Sequence, residues 1–456
     1  MGLYHPLGGP DAGGQRCSAI PRFGTLFRAM PVGYRRAGSS GHGLASPPPA
    51  DILDNEDGHD PGLLHDDHSM PAAHLPSSRT HTPATAARAD EGHALLGLEV
   101  LRFACAISVL LWHYNHFYVV GAAHQGFSVS AQPLYGLLKP FYEAGWLGVQ
   151  VFWALSGFIF FWKYARPVQS GQVNAWRFAV LRFSRLYPLH LLTLLAVALM
   201  AWWYRSQHGA DYVYQFNDWP HFALQLFLAS DWPGRSEWSF NGPIWSVSIE
   251  VLVYALFFAL CRLGVTRWWQ VLGLIGLAGA VYASKRTEHP IVLCVFFFYL
   301  GALTHLAHEA MQRVGAGLQR GLATGMVALL AAGTAVTAWG LLRPMFYTAL
   351  LAPLAILLLL RWARPTSPSV SGFIATLGNT TYASYLLHFP LQLLVANLSG
   401  GQPERLPLAS PAWLLGYLGL TFGLAVLTYR GLEVPAQAVL RARLLRAPAR
   451  PSRPRG

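Results

Sequence analysis

What most constrains this chain is a succession of apolar runs, each close to the ~20 residues an α-helix needs to cross a bilayer. They fall at 95–119, 145–164, 183–204, 244–261, 268–284, 290–307, 321–341, 345–362, 373–398 and 411–430. Backbone in hydrocarbon must satisfy its own hydrogen bonds, so runs of this length predict helices, about ten of them crossing the membrane. One more apolar stretch, 221–230, is too short to span and reads as a re-entrant or interfacial piece. Composition points the same way. The chain is 53% hydrophobic and 12% charged, about half the charged share of an average soluble domain. That is too little polar surface for a soluble globule of this size. The expected fold class is an all-α integral membrane protein.

Residues 1–94 are built differently. They hold 10 of the 21 carboxylates, 11 of the 31 prolines and 13 of the 44 glycines, without helical or strand periodicity. Such a segment cannot bury enough apolar surface to offset the entropy of ordering, so it reads as a disordered polar leader. It lacks the apolar core of a signal peptide. Met30 and Met70 offer alternative starts within it. Its cluster of His59, His65, Asp66, Asp67 and His68 reads as a solvated tail, because no rigid element presents those ligands to a metal. The expected organisation is a leader at 1–94, a membrane domain at 95–435 and a basic cytoplasmic tail at 436–456. Cys105, Cys261 and Cys294 lie in apolar runs, Cys17 lies in the leader, and no CxxC pair exists. Neither a disulfide framework nor a thiolate metal site is expected.

From Leu95 onward, 26 Lys and Arg stand against 11 carboxylates. These cations sit between apolar runs and form no continuous basic face, which argues against a nucleic-acid partner. Their distribution sets orientation. With both termini in the cytoplasm, Arg166, Arg177, Arg182, Arg262, Arg267, Arg313, Arg320, Arg361 and Arg364 fall on the inner side, with the arginine-rich tail. The longest outer loop, 205–243, then carries four carboxylates against two arginines. This is the positive-inside pattern.

Ionisable groups inside apolar runs are costly and mark function or a buried partner. Glu250 is the only carboxylate well inside a predicted span. Arg102 and His113 share the first run, His388 lies in the ninth, and Arg182 and Arg185 stand at the cytoplasmic start of the third. Arg102 and His113 are eleven residues apart, a net rotation of about 20° on a helix, so both face one way about three turns apart. The alternative for the two is an arginine snorkelling inward and a hydrogen-bonded core histidine. By rise per residue His113, Glu250 and His388 reach a similar outer depth. They form a candidate acid–base group, the alternative being a buried ion pair that fixes helix packing. Ser156 would complete a Ser–His–Glu arrangement, but no strand–turn–helix elbow presents it. Ser-Gly in a membrane helix more often permits close helix approach.

These motifs resemble the bacterial membrane acyltransferase 3 family over nearly all of residues 94–435. Arg102 and His113 match its Arg-x10-His signature, and Gly148-Val-Gln-Val-Phe-Trp-Ala-Leu-Ser-Gly-Phe158 its Gly-Val-x-x-Phe-x-x-x-Ser-Gly-Phe helix. Arg182-Phe-Ser-Arg185-Leu-Tyr-Pro188 is similar to its Arg-x-x-Arg-x-x-Pro element. Pro243-Ile-Trp-Ser-Val-Ser-Ile-Glu250 is similar to its Pro-x-Trp-Ser-x-x-x-Glu segment. Leu377-Gly378, Tyr385-Leu-Leu-His388-Phe-Pro390 and Glu433-Val-Pro435 follow in the family's order.

The resemblance implies a multi-pass protein of the bacterial inner membrane. Family members O-acylate surface polysaccharides, O-antigens, exopolysaccharides, Nod factors and some macrolides. It implies acyl-CoA, usually acetyl-CoA, taken from the cytoplasm, no metal, and a sugar or other hydroxyl acceptor. It also implies that His113, Arg102, Arg182, Arg185 and Glu250 matter for activity. The long leader departs from the common pattern, and only a basic tail follows Pro435. In the chemistry expected here, His113 takes the hydroxyl proton or relays the acyl group, and Glu250 orients the imidazole. Arg102 meets developing charge, while Arg182 and Arg185 hold the CoA phosphates. Their plain alternative is positive-inside anchoring. His388, Ser156 and Tyr385 are further candidates. Two readings compete. A transporter or flippase for a lipid-linked saccharide would explain the spans, but no repeat relates 95–260 to 290–430. A glycosyltransferase would call for an exposed acidic pair, and none stands out. Trp219, Trp232 and Trp238 in the outer loop suit either sugar stacking or, more simply, interfacial anchoring.

Overall fold

The structure, a computed structural model, describes residues 83–120, 123–233, 237–285, 289–362 and 367–445. The His-Asp cluster of the leader, Cys17 and the end of the basic tail lie outside the described residues, as do Arg235, Arg286 and Arg364.

Helices dominate. The first, α1 (Pro83–Trp112), begins inside the stretch read as leader and passes at His113 into a 3-10 turn running to Tyr118. A two-residue antiparallel hairpin follows, pairing β1 (Val119–Val120) with β2 (Ala123–His124). The predicted second span, 145–164, lies within a longer composite segment. That segment runs from α2 (Tyr135–Ala144) through a 3-10 turn, α3 (Gly148–Phe160) and a π-helical turn at Phe161–Ala165 to α4 (Arg166–Gln169). Next come α5 (Ala175–His208), α6 (Trp219–Leu226), α7 (Trp245–Arg262), α8 (Trp268–Ala283) and α9 (Ile291–Gln312). Then follow α10 (Ala316–Ala338), α11 (Pro344–Trp362), α12 (Pro368–Asn379), α13 (Thr381–Leu398), α14 (Pro411–Thr428) and α15 (Val434–Leu444).

Among the described residues, eight helices are long and apolar enough to cross a membrane. Two of the ten apolar runs fall short of that measure. Trp268–Ala283 is shorter than a full span, and the run 373–398 is broken at Thr380 into α12 and α13. Gly378, Asn379 and Thr380 are poor helix formers, so the break costs little. The short apolar piece at 221–230 is in the main α6, capped by Asp218, whose carboxylate accepts from the His221 backbone at 3.0 Å. The start of the predicted tail is helical too. Its α15 lies on α5, with Trp176 Nε1 donating to the Leu444 carbonyl at 2.9 Å.

Small residues set the packing. A Cβ on Gly157 of α3 would run into the Phe298 carbonyl, and one on Gly301 of α9 into the Ala154 carbonyl. The two backbones therefore touch directly, which is the close approach expected of Ser156-Gly157. Gly145 meets α1 in the same way at the Ser108 carbonyl. As a result the α3 segment sits at the centre, with 72% of its most apolar stretch buried, against 17% for α10. The largest apolar cluster surrounds it, with Phe160 stacked on Tyr254 at 4.2 Å and Phe257 and Phe298 packed alongside.

Candidate active site

The site is built where α13 meets α7 and the end of α1. Pro390 has no N–H, so the Leu386 carbonyl four residues earlier loses its helical donor. The Asn241 side chain supplies one, donating to that carbonyl at 3.0 Å. Tyr385, on the same helix, donates its hydroxyl to the Pro243 carbonyl at 2.6 Å and lies 2.8 Å from Ser246 Oγ. Two stretches far apart in sequence, 241–250 and 385–390, are thereby riveted together. Tyr385 acts here as a cross-link between helices.

On this frame three imidazoles gather. His113 stacks on His388 with ring centroids 4.9 Å apart and planes at 28°. His116 lies 4.9 Å from His113, with the ring planes tilted by 41°. His388 Nδ1 is 2.5 Å from the Tyr385 carbonyl. A carbonyl only accepts, so Nδ1 carries the proton and Nε2 is the basic nitrogen. That Nε2 is buried and makes no hydrogen bond. His113 faces the Val109 carbonyl one turn back, and its Nδ1 makes no well-formed hydrogen bond. No group of three or more His, Cys, Asp or Glu is arranged to hold a metal ion among the described residues.

The charged groups form a second end. The Glu250 carboxylate faces the hydroxyls of Ser156 and Tyr254 and lies in the field of Arg102 and Arg182. Its Oε1 has no hydrogen-bond partner. Ser156 thus serves the carboxylate. Arg102 bonds Glu99, one turn back on α1, at 3.0 Å. Glu99 itself packs on Gly378, where any side chain would collide with it. Arg182 is more enclosed than positive-inside anchoring requires. Its guanidinium lies over the rings of Phe160 and Tyr164, 5.0 and 4.9 Å from their centroids, and donates to the Tyr164 hydroxyl at 2.6 Å. The π-helical turn carries Tyr164, and such bulges re-aim side chains at functional sites. Arg185, one turn on, lies in the field of Glu433 and Tyr382.

The sequence reading placed Glu250 beside the imidazoles as their orienting carboxylate. In the structure, backbone carbonyls and an amide hold the rings, and Glu250 stands with the arginines. Sequence reasoning also missed His116, Gln392, Glu99 and Tyr254. Each lies three or four residues from a predicted site residue on the same helical stretch, at the spacing that puts side chains on one face.

Outside the spans, a smaller polar cluster borders α7. Asp231 is buried, its backbone N–H donates to Ser248 Oγ at 3.2 Å, and its Oδ2 is unpartnered. Burial pushes its carboxyl up to about 7. Trp232 Nε1 donates to the Ser248 carbonyl at 3.1 Å, while Trp219 and Trp238 project outward.

Comparison with known proteins gives this geometry a context. A family model described as an acyltransferase domain matches residues 95–430. The chain is similar to the acyltransferase MdmB of Streptomyces mycarofaciens, 27% identical over 336 residues, covering 68% of this chain and 81% of that protein. No solved structure matches.

Proposed function

Since the chain belongs to the acyltransferase 3 family and is a multi-pass membrane O-acyltransferase, we propose that it moves an acetyl or other short acyl group. The donor is acyl-CoA reached from the cytoplasm. The acceptor is a hydroxyl of a cell-surface sugar or polysaccharide precursor. The membrane is the bacterial inner membrane, with both termini cytoplasmic.

In this reading the acceptor oxygen attacks the thioester carbonyl carbon, the new C–O bond forms and the C–S bond breaks. His113 takes the hydroxyl proton and returns it to the departing thiolate, giving ester and CoA thiol. Arg102, in the field of Glu250, offers positive charge to the developing oxyanion. Arg182, also in the field of Glu250, and Arg185, one turn on along α5, suit the donor's phosphates. Glu250 balances the two arginines and keeps them fixed between turnovers. The observation that carries the reading is the stack of His113 on His388, whose free Nε2 is a buried base with no other partner.

The test is direct. Purified full-length protein in lipid nanodiscs, given acetyl-CoA and membrane-derived saccharide acceptors, should release CoA thiol in step with ester formation. Acceptor-dependent translocation without CoA release would favour the transporter reading instead.

A further inference from the structure

His116 and Gln392 have no role in the reaction as described. Their contacts nevertheless specify a protonation pattern. Gln392 Nε2 donates to the His113 backbone carbonyl at 2.8 Å. That carbonyl only accepts, so the amide has one orientation, and its Oε1 is the atom 3.1 Å from His116 Nδ1. Oε1 only accepts in turn, so His116 Nδ1 must carry the proton and Nε2 is left as the basic nitrogen. The Tyr212 hydroxyl donates to the His116 carbonyl at 2.5 Å and holds the turn in place.

We propose that Gln392 is a positioning residue that fixes His116 in its Nδ1–H tautomer, so that His113 works beside two imidazoles, His116 and His388, that both keep their proton on Nδ1. This rests on the acyl-transfer reading and deepens it. When the hydroxyl proton moves onto His113, the positive charge formed there is flanked by uncharged, polarisable neighbours. A protonated His116 at the same separation would oppose it. The groups facing His116 are His113 from its own turn, His388 and Gln392 from α13, His124 from β2, and Tyr214 with Phe389 edge-on. None of these is a carboxylate that would favour the charged ring.

Two measurements on the full-length protein in nanodiscs test this. The first is histidine 15N NMR, with the His116 signal assigned by its loss in H116Q. The wild type should show the Nδ1–H tautomer there, and Q392L should mix or reverse it. An Nε2–H tautomer in the wild type overturns the proposal. The second is the pH profile of CoA release from acetyl-CoA. Q392E places a carboxylate at Nδ1, so His116 should bind a proton at higher pH. The acid limb should move up by about one pH unit or more, with donor KM changed less than about twofold. H116Q/Q392E should restore the wild-type limb, because glutamine cannot titrate. A limb unmoved in Q392E, or still displaced in the double variant, overturns the proposal while leaving acyl transfer intact. Absence of CoA release in the wild type would sink the acyl-transfer reading alone, and the tautomer measurement then decides the role of Gln392.

Discussion

The two ends of the site hold their reactive groups by opposite means. At the imidazole end, every fixed contact is to a neutral acceptor: the Tyr385 carbonyl for His388 and the Gln392 amide for His116. At the arginine–carboxylate end, charge is held by charge and by aromatic faces, with Arg182 over Phe160 and Tyr164, Arg102 on Glu99, and Glu250 in the field of both cations. Neutral contacts leave a base free to gain and lose a proton. Charged and stacked contacts keep an arginine in one place. The difference teaches that proton movement and charge stabilisation draw on different helices, α13 for the first and α3, α5 and α7 for the second, with α1 joining them through His113 at its end and Arg102 within it.

This division can be broken from either side. The largest effect should come from the imidazole end. His113→Ala should lower kcat for CoA release by about 10²–10⁴-fold, the usual contribution of a positioned base, with unchanged donor KM and normal insertion. Retained kcat would move the base to His388. A smaller effect should come from the other end. Arg182→Lys keeps the charge but loses the planar stack and the fork of donors. Donor KM should rise roughly tenfold, with acceptor KM within about twofold. An unchanged donor KM in folded protein would remove Arg182 from the donor site.

The smallest effect concerns stability and lies outside both ends. The Asp231 carboxyl titrates near 7 in the folded protein because it is buried, against ~3.9 in an unfolded chain. The native state therefore binds the extra proton, and stability falls as pH rises from about 4 through about 7. Asp231→Asn, neutral at every pH, should raise the melting temperature at pH 8 and leave it unchanged near pH 4. A wild type more stable than the variant at pH 8 would show that the carboxylate has a partner that balances its burial.

Much of the fold was legible because hydrocarbon imposes a length on every span. The apolar runs fall where the structure has its helices. What escaped was local. Beside the break at Thr380, Glu99 packs against Gly378, a contact between helices that no single run reveals. The composite second segment depends on a π-helical turn with no pattern in the sequence. Of the site, the rare ionisable groups stood out against an apolar background. Their partners did not, because Gln392, Ser156 and Tyr254 look like ordinary polar residues until a neighbouring helix supplies what they face. Glu250 illustrates the limit. Equal depth predicts convergence, but rotation about each helix axis decides contact, and it turned Glu250 toward Ser156 and Tyr254.

The central claim is that the imidazole end and the arginine–carboxylate end are one reaction centre. A double-variant cycle with His113→Ala and Glu250→Gln, read as the rate of CoA release from acetyl-CoA, tests it most directly. Groups acting in one step are strongly non-additive. The account predicts that Glu250→Gln alone loses about tenfold or more. In the His113→Ala background the same change should cost less than about threefold, because the arginines that Glu250 holds then have no base-assisted step to stabilise. Full multiplication of the two losses would contradict it, and would mean that the two ends do not act in the same step.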